Sequence, residues 1–335
     1  MSQSTMEKQA LSTTAQITPD AMGLGRTSGQ RTAEMVAGLR YELDKSPINN
    51  VLSRFAGRLI ARLMISVLRD KDQINYILAR PASFNHLTLE YIKANTPPIT
   101  LVEIAAGFSP RGVKLAEMMP NIQVIEIDLP DVVEEKQRRL SKAHVVKIPP
   151  NIKWYKADLG TESLADVLKG EKVDIVSAEG LNPYFSHEDI IRIASHVRES
   201  LKPGGAYICD VGWDEARRKS EQSSVGLFSR NASAFLAIIK TEEEGRELFT
   251  KAGYDDVKAY RPTRLTALME DVPSTPMDYS LIYVSYNPKS APPQADVKPE
   301  TADAPPVTSP AIKVEANGVE TGAQADGLSQ PPATS

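Results

Sequence analysis

Apolar residues early in the chain recur at steps of three and four, and later in the chain they gather into short runs. Between Thr32 and Asn95 the spacing predicts helices: Leu52, Phe55, Leu59, Leu63 and Val67 share one face, and Arg54, Arg58 and Arg62 another. Such a helix could lie on an anionic membrane, but the expectation is that its apolar face packs on its own domain and leaves the arginines solvated. A further helix runs through His86, Leu87, Leu89, Tyr91 and Ile92 and stops before Thr96-Pro97-Pro98. Beyond this breaker, strands are expected at Thr100 to Ala106, Val124 to Asp128, Ile152 to Asp158, Val173 to Ala178 and Ala206 to Val211. Helices are expected to begin near Arg111, Asp131, Glu162, Glu188 and Glu242. Strand followed by helix, repeated, means βαβ units and a doubly wound, mostly parallel sheet. Two late runs, Asp256 to Tyr260 and Tyr279 to Tyr286, lie too close together for a helical crossover and are expected to pair antiparallel at the sheet edge. The fold class read from this pattern is α/β: a seven-stranded, mostly parallel sheet with an antiparallel edge strand and an N-terminal helical cap.

Composition sets the boundaries. From Pro288 to Ser335 the chain lacks aromatic residues and is filled with Pro, Ala, Thr, Ser, Glu and Asp, too little apolar surface to offset ordering entropy. The expected organisation is a disordered N-terminus over 1–32, a helical cap over 33–98, a nucleotide-binding α/β domain over 99–287 with a helical insert near 213–251, and a disordered tail over 288–335. In that insert Phe228, Phe235 and Leu236 are expected to fill core, with contact to a substrate as the alternative. A single cysteine, Cys209, excludes an internal disulfide framework and favours a reducing, cytoplasmic setting. Glu7 and Lys8 interrupt the place of a signal peptide's apolar stretch, and the longest apolar tract, Leu59 to Leu68, contains Arg62 and is too short to span a bilayer. A net charge of -4 offers no global positive field for nucleic acid. No Cys/His cluster points to a metal.

In open α/β sheets ligands bind beyond the carboxyl ends of the strands, so the chemistry is sought there. The first strand, with Glu103, opens through Ala105, Ala106 and Gly107 into a helix start at Arg111; small residues allow close backbone approach. The second closes on Asp128, about twenty residues later, where a carboxylate can accept from both hydroxyls of a ribose or else cap the helix that follows Leu129-Pro130. The third ends in Ala157-Asp158-Leu159, an acid and an apolar side chain suited to an adenine amino group and ring, or a surface turn. The fourth leads into Ala178-Glu179-Gly180-Leu181-Asn182-Pro183-Tyr184, and a carboxylate such as Glu179, if buried, needs a partner.

Taken together, these motifs resemble those of the class I S-adenosylmethionine-dependent methyltransferases, and within them the leucine carboxyl methyltransferase family and its polyketide O-methyltransferase relatives. The likeness rests on Glu103 to Gly107 with Arg111, on Glu126-Ile127-Asp128-Leu129-Pro130, on Ala157-Asp158-Leu159 and on Ala178-Glu179-Gly180 with Tyr184, over roughly Arg80 to Tyr286. It implies S-adenosylmethionine as cofactor and a site formed by Glu103, Ala105, Gly107, Asp128, Leu129, Asp158, Leu159 and Glu179, with Arg80 holding the methionine carboxylate. Two departures stand out: Ala105 replaces the first glycine of the usual turn, and Ser109 a later one.

The reaction so implied is methyl transfer to a carboxylate or hydroxyl oxygen, probed first on small molecules; a silent cofactor-binding protein of the same fold is the alternative. A carboxylate acceptor needs no base, whereas a hydroxyl gains from one, for which His187, Asp210 and Tyr184 are the candidates; for His187 the favoured reading is the plainer one, an N-terminal residue of the helix beginning Ser186-His187-Glu188. Asn182-Pro183-Tyr184 lacks the second proline of the base-amine methylases' Asn-Pro-Pro-Tyr, and a nicotinamide dehydrogenase would need a Gly-x-Gly-x-x-Gly that is absent.

Overall fold

The computed structural model describes residues 28–68, 71–215, 218, 237–272 and 277–289. Phe228, Phe235, Leu236, most of the expected insert and the tail from residue 290 lie outside the described residues.

Among the described residues four helices precede the sheet: α1 (Ser28–Leu43), α2 (Pro47–Leu52), α3 (Phe55–Leu68) and α4 (Lys71–Ala94). α1 and α3 run side by side in the same direction, Glu34 meeting the Arg54 backbone at one end and Glu42 meeting Arg62 at the other. Between them Gly38 and Gly57 let the backbones touch; a methyl on Gly38 would overlap the Gly57 carbonyl. This contact corrects the expected orientation of α3. Its buried face is the small-residue one, Gly57 and Ala61, whereas Phe55, Leu59 and Leu63 are 75%, 47% and 57% exposed. Backbone proximity along a glycine seam selects small side chains, so the larger ones turn outward. Nor are the arginines simply solvated. Arg54 pairs with Glu135, Arg62 with Glu42, and Arg58 donates to the Asn50 and Ser53 carbonyls while lying over the Tyr41 ring.

The sheet follows the breaker, whose Pro97-Pro98 bond is cis. Its strands are β1 (Ile99–Ile104), β2 (Ile122–Asp128), β3 (Ile152–Lys156), β4 (Val173–Ala178), β5 (Leu201–Trp213), a two-residue β6 (Ile238–Ile239), β7 (Asp256–Tyr260) and β8 (Ser280–Tyr286). Their order is β3-β2-β1-β4-β5-β8-β7, with β6 beside the end of β5. β1 to β5 are mutually parallel, and β8 is antiparallel to both of its neighbours, one place in from the edge. The crossovers are α5 (Arg111–Met118), α6 (Pro130–Lys142), α7 (Leu164–Val167) and α8 (His187–Ser200); α9 (Glu242–Lys251) and α10 (Pro262–Thr266) follow.

Both sheet faces are covered, as a parallel sheet requires. Val102, Ile104, Ile127 and Val176 pack toward Ile190 and Ile193 of α8 and Phe249 of α9, while Leu101, Val124, Ile175 and Ile208 pack toward Phe84 and Leu87 of α4 and Val113 of α5. Leu101 and Val102 thus face opposite layers, the two-residue period of a strand. From β1 the sheet grows outward through β2 on one side and β4 on the other. That reversal makes the carboxyl ends of β1 and β4 the switch point at which this class of sheet binds ligands.

Candidate functional site

The turn out of β1 is built for close approach. Ala105 and Gly107 both adopt left-handed backbone, with φ of 51° and 50°. A methyl added to Gly107 would stand in ordinary contact with the Ala33 Cβ at 3.6 Å, so it is the left-handed backbone, and not lack of room, that favours glycine here. Asp128, closing β2, lies against the turn: its Oδ2 accepts from the Gly107 N–H at 2.6 Å and its Oδ1 from the Leu129 N–H at 2.7 Å. It does not cap α6, whose start makes no side-chain cap hydrogen bond. Burial raises the Asp128 pKa, opposed by these two backbone donors. An ionised carboxylate has about four lone-pair sites. The two N–H groups use one on each oxygen, leaving one on each for hydroxyl donors.

A second cluster gathers past β4. Glu179 Oε1 accepts from Arg40 Nη2 at 2.9 Å and from Arg80 Nε at 3.2 Å. Burial pushes the Glu179 carboxyl up, but Arg40, Arg80 and Arg111 outweigh it and hold its pKa below the ordinary value. Arg80 extends from α4 and also lies 3.6 Å from Asp210 Oδ2 of β5. Gly180, at φ 74°, leaves room for this guanidinium; a methyl there would stand 3.1 Å from Arg80 Nη2. The Gly180 N–H donates to Asp210 Oδ1 at 2.7 Å. Two guanidinium groups and two carboxylates therefore sit together, a donor and acceptor set suited to a zwitterion.

Glu103 occupies a third cluster, buried inside the sheet's α4 and α5 side. Its Oε1 is 2.5 Å from Arg111 Nη1, and Arg111 also donates to Ser177 Oγ, Thr88 Oγ1 and Asn85 Oδ1. Across the strand pair Glu126 stands opposite Glu103 and is paired with buried Lys136 at 2.7 Å, with the Trp154 indole N–H on the same carboxylate. Gly112 is required here, because a side chain would overlap the Glu126 carboxylate. Glu103 thus anchors the start of α5 from below.

The structure brings Arg80, Glu179 and Asp210 together and joins Gly107, Asp128 and Leu129, while Asp158 stands at the neighbouring strand end, just after Ala157, whose N–H donates to the Asp128 carbonyl at 3.0 Å. Asp158 is exposed in the turn after β3, its Oδ1 accepting from the Gly160 N–H at 2.9 Å. Leu159 is half-buried and lines a small hollow with Ile104, Glu162, Leu164 and His196. Tyr184 is exposed on a one-turn 3-10 helix, Asn182–Tyr184. His187 opens α8 behind the capping Ser186, and its Nε2 is buried. Arg40 was not among the sequence candidates. Its partner is 139 residues away, and no local pattern around it marks that pairing. Among the described residues no group of three or more His, Cys, Asp or Glu side chains could hold a metal ion, and no helix is long and apolar enough to cross a membrane.

The sequence model of the leucine carboxyl methyltransferase family matches residues 62–198. Proteins described as putative S-adenosyl-L-methionine-dependent methyltransferases from Mycobacterium bovis and Mycobacterium tuberculosis are 32% identical over 109 residues, which is 31% of this chain. The chain spans about a third, 35%, of the length of these relatives. A solved magnesium protoporphyrin IX methyltransferase from Synechocystis with bound S-adenosylhomocysteine aligns at a TM-score of 0.45 and 16% identity, covering 64% of this chain and 86% of that one. Strand order, strand-end motifs and the match over residues 62–198 give the chain the class I S-adenosylmethionine-dependent methyltransferase fold.

Proposed function

We propose that the chain is an S-adenosylmethionine-dependent O-methyltransferase, acting on a carboxylate or hydroxyl oxygen of a small molecule. The observation that supports this most is the pair of polar clusters at the strand ends flanking the sheet's reversal: Asp128 on the Gly107 turn, and Arg80 with Glu179 beyond β4. Asp128 would hold the ribose hydroxyls through the lone pairs its backbone donors leave free. Asp158 and Leu159 would meet the adenine, Glu179 would contact the cofactor and Arg80 would take the methionine carboxylate. Glu103 supports the turn through Arg111, and Ala105 and Leu129 flank it.

Bound S-adenosylmethionine supplies an already activated methyl group on a sulfonium. What remains for the protein is to align the acceptor oxygen and exclude water, and positioning of that kind is worth roughly 7–11 kcal/mol. A carboxylate acceptor suits this site because it needs no base, and the buried acids described here are all engaged by cations or backbone donors. The small-molecule reading draws on the resemblance of the Ala178-Glu179-Gly180 loop to the polyketide branch.

Incubation with S-adenosylmethionine tritiated in the methyl group and fractionated small-molecule extract tests the proposal. Counts should enter a low-mass product. Release of those counts as methanol by mild alkali identifies an ester and hence a carboxylate acceptor; alkali-stable counts identify an ether. Tight binding of S-adenosylhomocysteine without any transfer would replace the enzyme reading by that of a silent binder.

A further inference from the structure

Asp210 is buried, and its carboxylate is surrounded by partners from three other parts of the chain. Its Oδ1 accepts from the Gly180 N–H at 2.7 Å, and its Oδ2 accepts from Ser280 Oγ at 3.0 Å and faces Arg80 Nη1 at 3.6 Å. Ser280 in turn meets Tyr76, whose hydroxyl lies 2.5 Å from Ser280 Oγ and accepts from the Ser280 N–H at 3.0 Å. The proton directions follow from the donors available. A carboxylate only accepts, so the single Ser280 hydroxyl proton goes to Asp210. The Tyr76 hydroxyl can then donate to Ser280 Oγ at 2.5 Å or to the Ser280 carbonyl at 3.3 Å, while its oxygen accepts from the Ser280 N–H; either way it is tied to Ser280.

Tyr76 and Arg80 are one turn apart on α4 and so project from the same face. Pro81, directly after Arg80, has no N–H to offer the carbonyl four residues back, so the helix backbone alone holds this segment less firmly. The polar chain to β5 and β8 supplies a fixed point in its place. Glu179 also attracts Arg80, and from the other side; Asp210 opposes a full swing of the guanidinium onto Glu179. With Arg40 also on Glu179, the cluster balances two cations against two carboxylates.

We propose that Asp210, steadied through Ser280 and Tyr76, is a positioning residue: it sets the direction of Arg80 and of the Gly180 turn so that the amino-acid end of the cofactor is received. This assigns Asp210 a place behind the site, away from the reacting oxygen, instead of the general-base role considered from the sequence. It rests on the reading of Arg80 as the anchor of the cofactor carboxylate.

Calorimetry on the full chain with two ligands provides the test: S-adenosylhomocysteine, which has the amino-acid end, and 5′-methylthioadenosine, which has the nucleoside without it. Arg80→Met is expected to abolish the preference of the wild type for S-adenosylhomocysteine; retention of that preference would remove the Arg80 reading and the proposal with it. Asp210→Asn is expected to weaken S-adenosylhomocysteine roughly tenfold, the scale of a lost hydrogen bond to a charged group, and to leave 5′-methylthioadenosine within about twofold. Ser280→Ala and Tyr76→Phe remove no charge and should shift the ratio in the same direction by less, and they decide the matter if Asp210→Asn does not fold. Equal weakening of both ligands would mean a general structural role. Tighter S-adenosylhomocysteine binding would mean that Asp210 competes with the ligand for Arg80. If Arg80→Met loses the preference and the Asp210, Ser280 and Tyr76 variants keep it, the positioning role falls and the anchor reading stands.

Discussion

Ala105 holds a left-handed backbone with a side chain that resists it, at φ 51° in the turn beside Asp128. The conformation costs an L-residue about 1–2 kcal/mol, and glycine's extra freedom in the unfolded chain takes back about 0.4–1 kcal/mol. Ala105→Gly should therefore stabilise the protein by about 0.5–1 kcal/mol in urea unfolding, and a lower midpoint would show that the alanine methyl packs usefully. Asp128 makes a prediction about pH. Burial raises its pKa against the pull of the Gly107 and Leu129 N–H groups, so on acidification it loses its charge sooner than an ordinary aspartate. Affinity for S-adenosylhomocysteine should fall with it, and Asp128→Asn should bind weakly with that part of the pH dependence gone. An unchanged acid limb in the variant would assign the titration elsewhere. Asp128 and Glu179 were legible in the sequence because each ends a strand whose run of apolar residues is plain. Arg40 and Ser280 were not, because their partners lie 139 and 70 residues away and only the folded chain brings them near.

Among the elements, β1, β2 and β4 stand where the apolar runs placed them, since a strand buried on both faces leaves an unmistakable run of Val, Ile and Leu. β3, a partly exposed edge strand, ends at Lys156 instead of Asp158, and β5 runs from Leu201 to Trp213, beyond both ends of the expected Ala206 to Val211. α3 differs. Its leucines recur at helical spacing on a face that the structure exposes, because period reveals that a helix is amphipathic but does not reveal that a glycine seam outcompetes the larger side chains for the neighbour. Two stability measurements distinguish the faces. Leu59→Ser on the open face should change stability by no more than about 0.5 kcal/mol. Ala61→Leu on the buried face should cost about 1–3 kcal/mol by overpacking; the reverse ranking would return the leucine face to the interior. α1 is fastened separately through Glu34. That buried carboxylate pairs with Arg139 of α6 at 2.5 Å and accepts from the Arg54 N–H, while Arg139 lies over the Phe108 ring and donates to the Leu52 carbonyl. Arg139→Met should cost about 3–5 kcal/mol, the scale for leaving a buried charge without its partner. A cost below about 1 kcal/mol would mean that Glu34 finds water instead.

At the scale of the whole molecule, the strand order concentrates function. With β2 and β4 on opposite sides of β1, the Asp128 turn and the Glu179 cluster come to one end of the sheet. α4 reaches over to supply Arg80 and α1 to supply Arg40. The βαβ alternation made this architecture readable, whereas the contribution of the N-terminal helices depended on packing between residues far apart in the chain. Titration calorimetry of S-adenosylhomocysteine into the full-length protein and into Asp128→Ala tests the central claim most directly. The account predicts saturable binding by the wild type, weakened in a folded Asp128→Ala by about 1–3 kcal/mol, or roughly 5–150-fold. Equal affinity in the two folded proteins, or no binding by the wild type at millimolar ligand, would contradict it.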